Sequence, residues 1–258
     1  MLQQKIWVGC CGFPVSRKKY YQHFKIVELQ NTFYNLPSSE WARKFKEELP
    51  EEFIVSIKAW QVITHPSSSP TWKKMKDKPS GEIKNYGWLK PTKENIDAWN
   101  KIVDLAKIIG AKFIVLQTPG SMPYNEESVR WVYQFFKEII SLTPREIVIG
   151  WEPRGQWLTA NAIHDLEKIL NEYNVVHIVD LFKHEPVTRN LLYTRLHGIG
   201  KGEVNYRYKY TDDDLNRLAN IIMKLGLSRN YVLFNNVYMF NDALRFKEML
   251  SQHGFTVF

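Results

Sequence analysis

The sequence predicts an α/β protein of the (β/α)8 TIM-barrel class, somewhat irregular, as a single domain over residues 1–258. Three observations predict it. Short apolar or alternating runs recur eight times, amphipathic stretches separate most of them, and 258 residues is an ordinary length for eight strand–helix units. An open doubly wound sheet is the competing arrangement. It normally carries a glycine-rich phosphate turn after the first strand, and GCCGFP is not G-x-G-x-x-G.

The strands are expected at 5–10, 26–30, 53–58, 112–117, 147–152, 175–180, 192–197 and 231–235. Helices are expected at 39–49, 92–109, 126–142, 159–173, 215–225 and 242–253. The second repeats Ile96, Trp99, Val103 and Ala106 at helical spacing and stops at Gly110. The third follows Asn125 and opens on Glu126 and Glu127, which suits the helix dipole. The fourth is expected to be capped by Thr159; the fifth follows Thr211 and three aspartates and ends at Gly226; the last follows Asn241 and ends at Gly254. Residues 59–91 form a long insert after the third strand, and 181–191 is too short for an ordinary crossover helix. The final FTVF reads as a strand without an evident place.

Hydrophobic content of 44% allows a sizeable core, yet no apolar run approaches the ~18 residues a membrane helix needs. The N-terminal MLQQKIWVGCCGFP lacks the long apolar stretch of a secretory leader, so a soluble, cytoplasmic protein is expected, with no membrane partner. Cys10 and Cys11 are the two cysteines; as neighbours they imply no disulfide framework, and two small buried side chains are expected. The formal net charge is +8, and between residues 70 and 93 seven lysines face only Asp77 and Glu82. A basic excess this local suggests an anionic partner, while a solvated lysine-rich loop is the plainer account.

Side chains alternate between the two faces of a strand, and the chemistry of a barrel sits at the carboxyl ends of its strands. The stretch VELQNTFYNLP illustrates the test: Glu28 and Gln30 share a face with Ile26, and Asn31 follows. Lys58 is in phase with Ser56, Gln117 with Val115, Glu152 with Gly150 and with Arg154 beyond, and Asp180 with Ile178. Tyr193, Arg195 and His197 share one face of the seventh strand, and Asn235 and Asn236 end the eighth. Burying such groups costs free energy unless they pair with each other or with a ligand. Internal ion pairs that serve packing alone, such as Glu28 with Lys58 or Glu152 with Arg154, are the structural alternative.

The motifs IWVGCCGFP, VELQNTFYNLP, FIVSIKAWQVITH, IVLQTP, GWEPRGQW, YTRLHG, YTDDDL and YVLFNN, in this order, resemble the YecE-like family, also called domain of unknown function 72, over nearly the whole chain. The resemblance implies a TIM barrel akin to the xylose-isomerase and endonuclease IV kind, with no established activity. It adds Thr32, Phe33, Tyr34, Thr64, His65, Trp157 and Gly198 to the family's characteristic positions, and Cys11 and Gln30 stand where the family usually has Ser and Asn.

Acid/base chemistry follows from the residue types: Glu28 and Glu152 suit an acid/base pair, His197 a proton shuttle, and Lys58, Arg154 and Arg195 an anion. Gln30, Asn31, Tyr34, His65, Gln117, Trp157, Asp180, Tyr193, Asn235 and Asn236 are expected to line the substrate site. The expected function is an enzyme, of hydrolase or lyase type, acting on an anionic, phosphate-bearing substrate without a cofactor. Glu28, Glu152, Asp180 and His197 are acceptable metal-ligand types, so a metal is possible, but no H-E-x-x-H or H-x-H pattern signals one. Three segments mix basic and aromatic residues at the expected rim: Arg17 to Tyr21, the insert with Trp72, Tyr86 and Trp88, and Tyr206 to Tyr210. They support a second reading, a noncatalytic nucleic-acid-binding or ligand-sensing barrel. Aromatics packed as a lid are the alternative to that.

Overall fold

The computed structural model describes residues 4–200 and 202–258; residues 1–3, where the stretch read for a leader begins, lie outside the described residues. Strand and helix alternate in the predicted order: β1 (Lys5–Cys11), α1 (Arg17–Tyr21), β2 (Ile26–Leu29), α2 (Asn31–Tyr34), α3 (Ser39–Glu47), β3 (Ile54–Lys58), α4 (Gln61–Thr64), α5 (Lys93–Ile109), β4 (Phe113–Gln117), α6 (Glu126–Leu142), β5 (Val148–Glu152), α7 (Ile163–Glu172), β6 (Val176–Val179), β7 (Leu192–Leu196), α8 (Asp212–Leu225), β8 (Arg229–Phe234), α9 (Met239–Gln252) and β9 (Thr256–Val257). All eight predicted strands are present within two residues of the expected ends. The insert holds α4 and two 3-10 turns, Pro70–Lys74 and Ile83–Asn85.

The chain packs as two compact units: residues up to Leu29 with Pro50–Ile54 and Val176–Phe258, and Gln30–Leu49 with Val55–Val175. In the first unit β6, β7, β8, β1 and β2 pair in parallel, and the C-terminal strand finds its place as β9, parallel to β1 through Lys5↔Thr256 and Ile6↔Val257. Phe258 stacks on Trp7, Trp7 on Tyr231 and Tyr231 on Tyr193, with centroids 4.8, 4.9 and 6.3 Å apart. This aromatic row lies on one sheet face. Ile6, Val8, Val232 and Phe234 occupy the other, where Phe234 meets Phe246 of α9. In the second unit β3, β4 and β5 pair in parallel, with Lys58 opposite Val115 and Gln117 opposite Glu152. Its opposite sheet face carries Ile57, Ile114, Leu116 and Trp151, and Trp151 packs on Phe136 of α6.

Caps explain several helix ends. Thr92 accepts the Asn95 amide at the start of α5, and Gly110 closes it in the left-handed region at φ 76°. Asn125 with Ser128, and Thr211 with Asp214, form reciprocal capping boxes on α6 and α8. Three helix starts differ from expectation. Thr159 does not cap α7, because the 3-10 turn Gly155–Leu158 precedes it, its hydroxyl donates to the Gln156 carbonyl, and α7 starts only at Ile163. Helix α8 begins at Asp212 and α9 at Met239, each three residues before the expected start.

Candidate active site

In the first unit Cys11 and Glu28 are register partners at the ends of β1 and β2. Glu28 accepts from the Tyr193 hydroxyl at 2.8 Å and meets the Arg195 guanidinium at 2.9 Å; both members of the ion pair are 0% exposed. The Cys11 thiol lies in hydrogen-bond reach of the Arg195 side chain, and burial, seconded by the charge of Glu28, pushes its pKa well up, so it stays protonated. Two residues beyond Arg195, His197 donates its backbone amide to Asp180 at 3.0 Å, and its Nδ1 lies 3.1 Å from the Asn235 amide nitrogen. With that nitrogen donating, the imidazole proton sits on Nε2. Asp180 also accepts the Phe182 amide and faces Lys183 at 3.8 Å; burial raises its pKa.

The second unit presents its polar groups on three paired strand ends. Lys58, 8% exposed, closes β3; its Nζ bonds Gln117 Oε1 at 2.8 Å and lies 4.0 Å from the Phe33 ring centroid. The Lys58 carbonyl accepts the Thr32 hydroxyl, which ties α2 to the strand end. Glu152, 5% exposed, closes β5, and Arg154 grips its Oε1 through Nε at 3.0 Å and NH2 at 2.7 Å. Gly155 permits the turn that follows: its φ is 62°, and a Cβ there would meet the Gly120 carbonyl oxygen at 2.3 Å. His65 stacks edge-on to Phe33 and lies 2.8 Å from the Thr64 hydroxyl. Burial, with Lys58 and then Arg154 adding repulsion, lowers its pKa to about 3, so the ring is neutral.

The predicted residues are divided between the two units. Glu28, Tyr193 and Arg195 meet, as do Asp180, His197 and Asn235; Lys58 meets Gln117, and Glu152 meets Arg154. Trp157 is fully buried, donates its indole N–H to the Pro123 carbonyl and packs on Trp151, which gives it no surface for a ligand. Asn236 is committed to the Tyr208 carbonyl and Asp242. Gln30 and Asn31 lie outside β2, at the start of α2, with Asn31 exposed, and Tyr34 ends that helix half-buried beneath Lys74. Sequence parity left Cys11 and Phe33 without a role. The pairing of Cys11 with Glu28 was recoverable from the alternation Trp7, Gly9, Cys11; the placement of Phe33 under Lys58 was not.

Several aromatic residues of the three mixed segments are packed. Tyr20 is buried with its hydroxyl donating to the Ile26 carbonyl, Tyr86 donates to the Ser80 carbonyl, and Tyr210 is buried against Phe182. Trp72 gives its indole N–H to the His65 carbonyl. Of the tyrosines between 206 and 210 only Tyr206 is exposed. These rings are engaged in contacts within the protein.

Glu28 and Glu152 each face a guanidinium, and among the described residues no group of three or more His, Cys, Asp or Glu could hold a metal ion. Among the same residues no helix is long and apolar enough to cross a membrane.

A family model described as "Protein of unknown function DUF72" matches residues 15–257. A DUF72 family protein from Enterococcus faecalis V583 is 18% identical, with a TM-score of 0.71 over 97% of this chain and 99% of that one. Another, from Thermotoga maritima MSB8, is 21% identical, with a TM-score of 0.68 over 96% and 100%. Endonuclease IV from Thermus thermophilus is 9% identical, with a TM-score of 0.53 over 97% and 99%. No protein of curated function matches the sequence. At these identities the likeness establishes the fold, the (β/α)8 barrel.

Proposed function

The chain belongs to the DUF72 family, as its motifs predict, and because that family's description states no activity we propose a function from the chain's own residues: an enzyme, of hydrolase or lyase type, that uses acid/base chemistry on a small anionic, phosphate-bearing substrate. The row Lys58, Gln117 and Glu152 on three neighbouring strand ends, with Arg154 clamped on Glu152, carries this reading. Carboxyl ends of barrel strands are where such enzymes do their chemistry. Packing gives weak reason to bury an ammonium, a carboxylate and a guanidinium, since apolar residues would serve stability as well or better.

In this proposal Arg154, the most exposed of the three charged groups, and Lys58 bind the anion. Gln117 holds the ammonium in place, and Glu152 takes the proton. His65, being neutral, orients rather than attracts. In the first unit His197, fixed by Asn235 and Asp180, is a second proton-handling group, while Glu28 and Arg195, with no exposed surface, brace the β7 end that carries it. Two free buried thiols suit a reducing compartment such as the cytoplasm. The burial of Tyr20, Tyr86 and Tyr210 weighs against nucleic acid as the partner.

The test is a panel of phosphorylated and carboxylated small molecules, read by product formation and by calorimetry. Glu152→Gln should lower turnover by about 100-fold or more while affinity holds within a few-fold, and Arg154→Met should weaken binding. If no anion of the panel binds or turns over, or if Glu152→Gln keeps full turnover, the reading fails.

A further inference from the structure

Within the second unit a pocket of about 310 Å³ is lined by Asn35, Leu36, Trp60, Asp77, Lys78, Pro79, Ser80 and Lys101, none of them a member of the strand-end row. Three parts of the chain build it: the residues after α2, the first turn after β3, and a wall from the insert facing α5.

Hydrogen bonds tie that wall down. The Lys76 amide donates to the Asn35 side chain at 2.7 Å, the Tyr86 hydroxyl to the Ser80 carbonyl at 2.5 Å, and the Glu82 amide to Glu94 at 3.2 Å. Asn95, fully buried, pins the insert's far end through the Gly87 and Lys90 carbonyls. A wall fixed at both ends loses little entropy when a ligand arrives.

The chemistry of the lining is specific. Lys78 and Lys101 give two positive charges against the one of Asp77, and the Lys101 ammonium lies 6.0 Å from the Trp60 ring centroid. Asp77, Ser80 and Asn35 offer partners for hydroxyl groups, and Leu36 and the indole offer apolar surface. We propose that this pocket is a second binding site, separate from the strand-end row, for a small hydroxylated anion of the phosphomonoester class, its charged end held by Lys78 and Lys101 and its carbon skeleton against Trp60 and Leu36.

The experiment is titration calorimetry with glycerol 3-phosphate, inorganic phosphate and glycerol, on the full chain and on an Arg154→Met chain in which the strand-end site is weakened. The proposal expects one site in the Arg154→Met chain that binds glycerol 3-phosphate, and the Lys78→Met/Lys101→Met double variant should weaken it at least tenfold. Both lysines are exposed, so these changes leave folding intact. Binding should also change tryptophan fluorescence, and the change should shrink in Trp60→Phe. Binding lost with Arg154→Met alone would assign the ligand to the strand-end site and overturn the proposal. So would affinity unmoved by the double lysine variant, or glycerol binding as tightly as its phosphate.

Discussion

Replacing Arg195 by Met tests the charged pair at the heart of the first unit. The guanidinium lies 2.9 Å from Glu28, and neither side chain touches solvent. At an effective dielectric of about 20 the bare attraction at that distance is roughly 6 kcal/mol, most of which offsets the cost of drying both ions. Deleting one partner removes the attraction and leaves the desolvation of the other, so Arg195→Met should cost about 3–5 kcal/mol. Met keeps much of the volume, so little of that loss is cavity. For a chain near this size the melting midpoint should fall by roughly 6–20 °C. The Tyr193 hydroxyl, still bonded to Glu28, limits the damage. Urea unfolding followed by circular dichroism, on Arg195→Met, Glu28→Gln and the double variant, gives the coupling energy of the pair alone, expected at about 2–3 kcal/mol. A coupling within about 0.5 kcal/mol of zero would refute the assignment of Glu28 and Arg195 as mutual partners.

Three further outcomes follow from particular contacts. His65, with its pKa near 3 against an ordinary value of 6.5, binds its proton more weakly folded than unfolded, so its contribution is complete above about 6.5 and is lost as pH falls toward 3. Its slope is about 1.4 kcal/mol per pH unit, and His65→Gln should flatten that part of the stability–pH curve; an imidazole NMR titration near pH 6 would contradict it. Gly155→Ala forces a Cβ to within 2.3 Å of the Gly120 carbonyl at positive φ, so it should cost about 2 kcal/mol or more in a melt and weaken the anion binding that Arg154 provides; a neutral melt would show the turn to be pliable. Asn125→Ala removes the capping box of α6 and should cost about 1 kcal/mol by urea unfolding, with Asn125→Ser recovering most of it.

Much of the fold was legible in order and little of it in partnership. The β/α alternation, the caps at Thr92, Asn125 and Thr211 and the stop at Gly110 depend on residues a few positions apart. The misplaced start of α7 shows the limit of local rules: Thr159 is a sound cap by composition, but the turn after Gly155 engages its hydroxyl first. At the site, Lys58, Gln117 and Glu152 were readable because strand parity is a period of two and their strands end in polar groups. The same parity named Glu28 and Arg195 without pairing them.

The chain alone therefore settled which side chains stand on the same face of each strand, since backbone stereochemistry alternates them whatever surrounds the strand. Only the tertiary structure decided that Glu28 meets Arg195, that β9 lies along β1, and that Tyr20, Tyr86 and Tyr210 turn their hydroxyls inward. Such choices join residues far apart in sequence. They depend on which buried polar group can find a partner once the strands are in register, and that competition has no local signature.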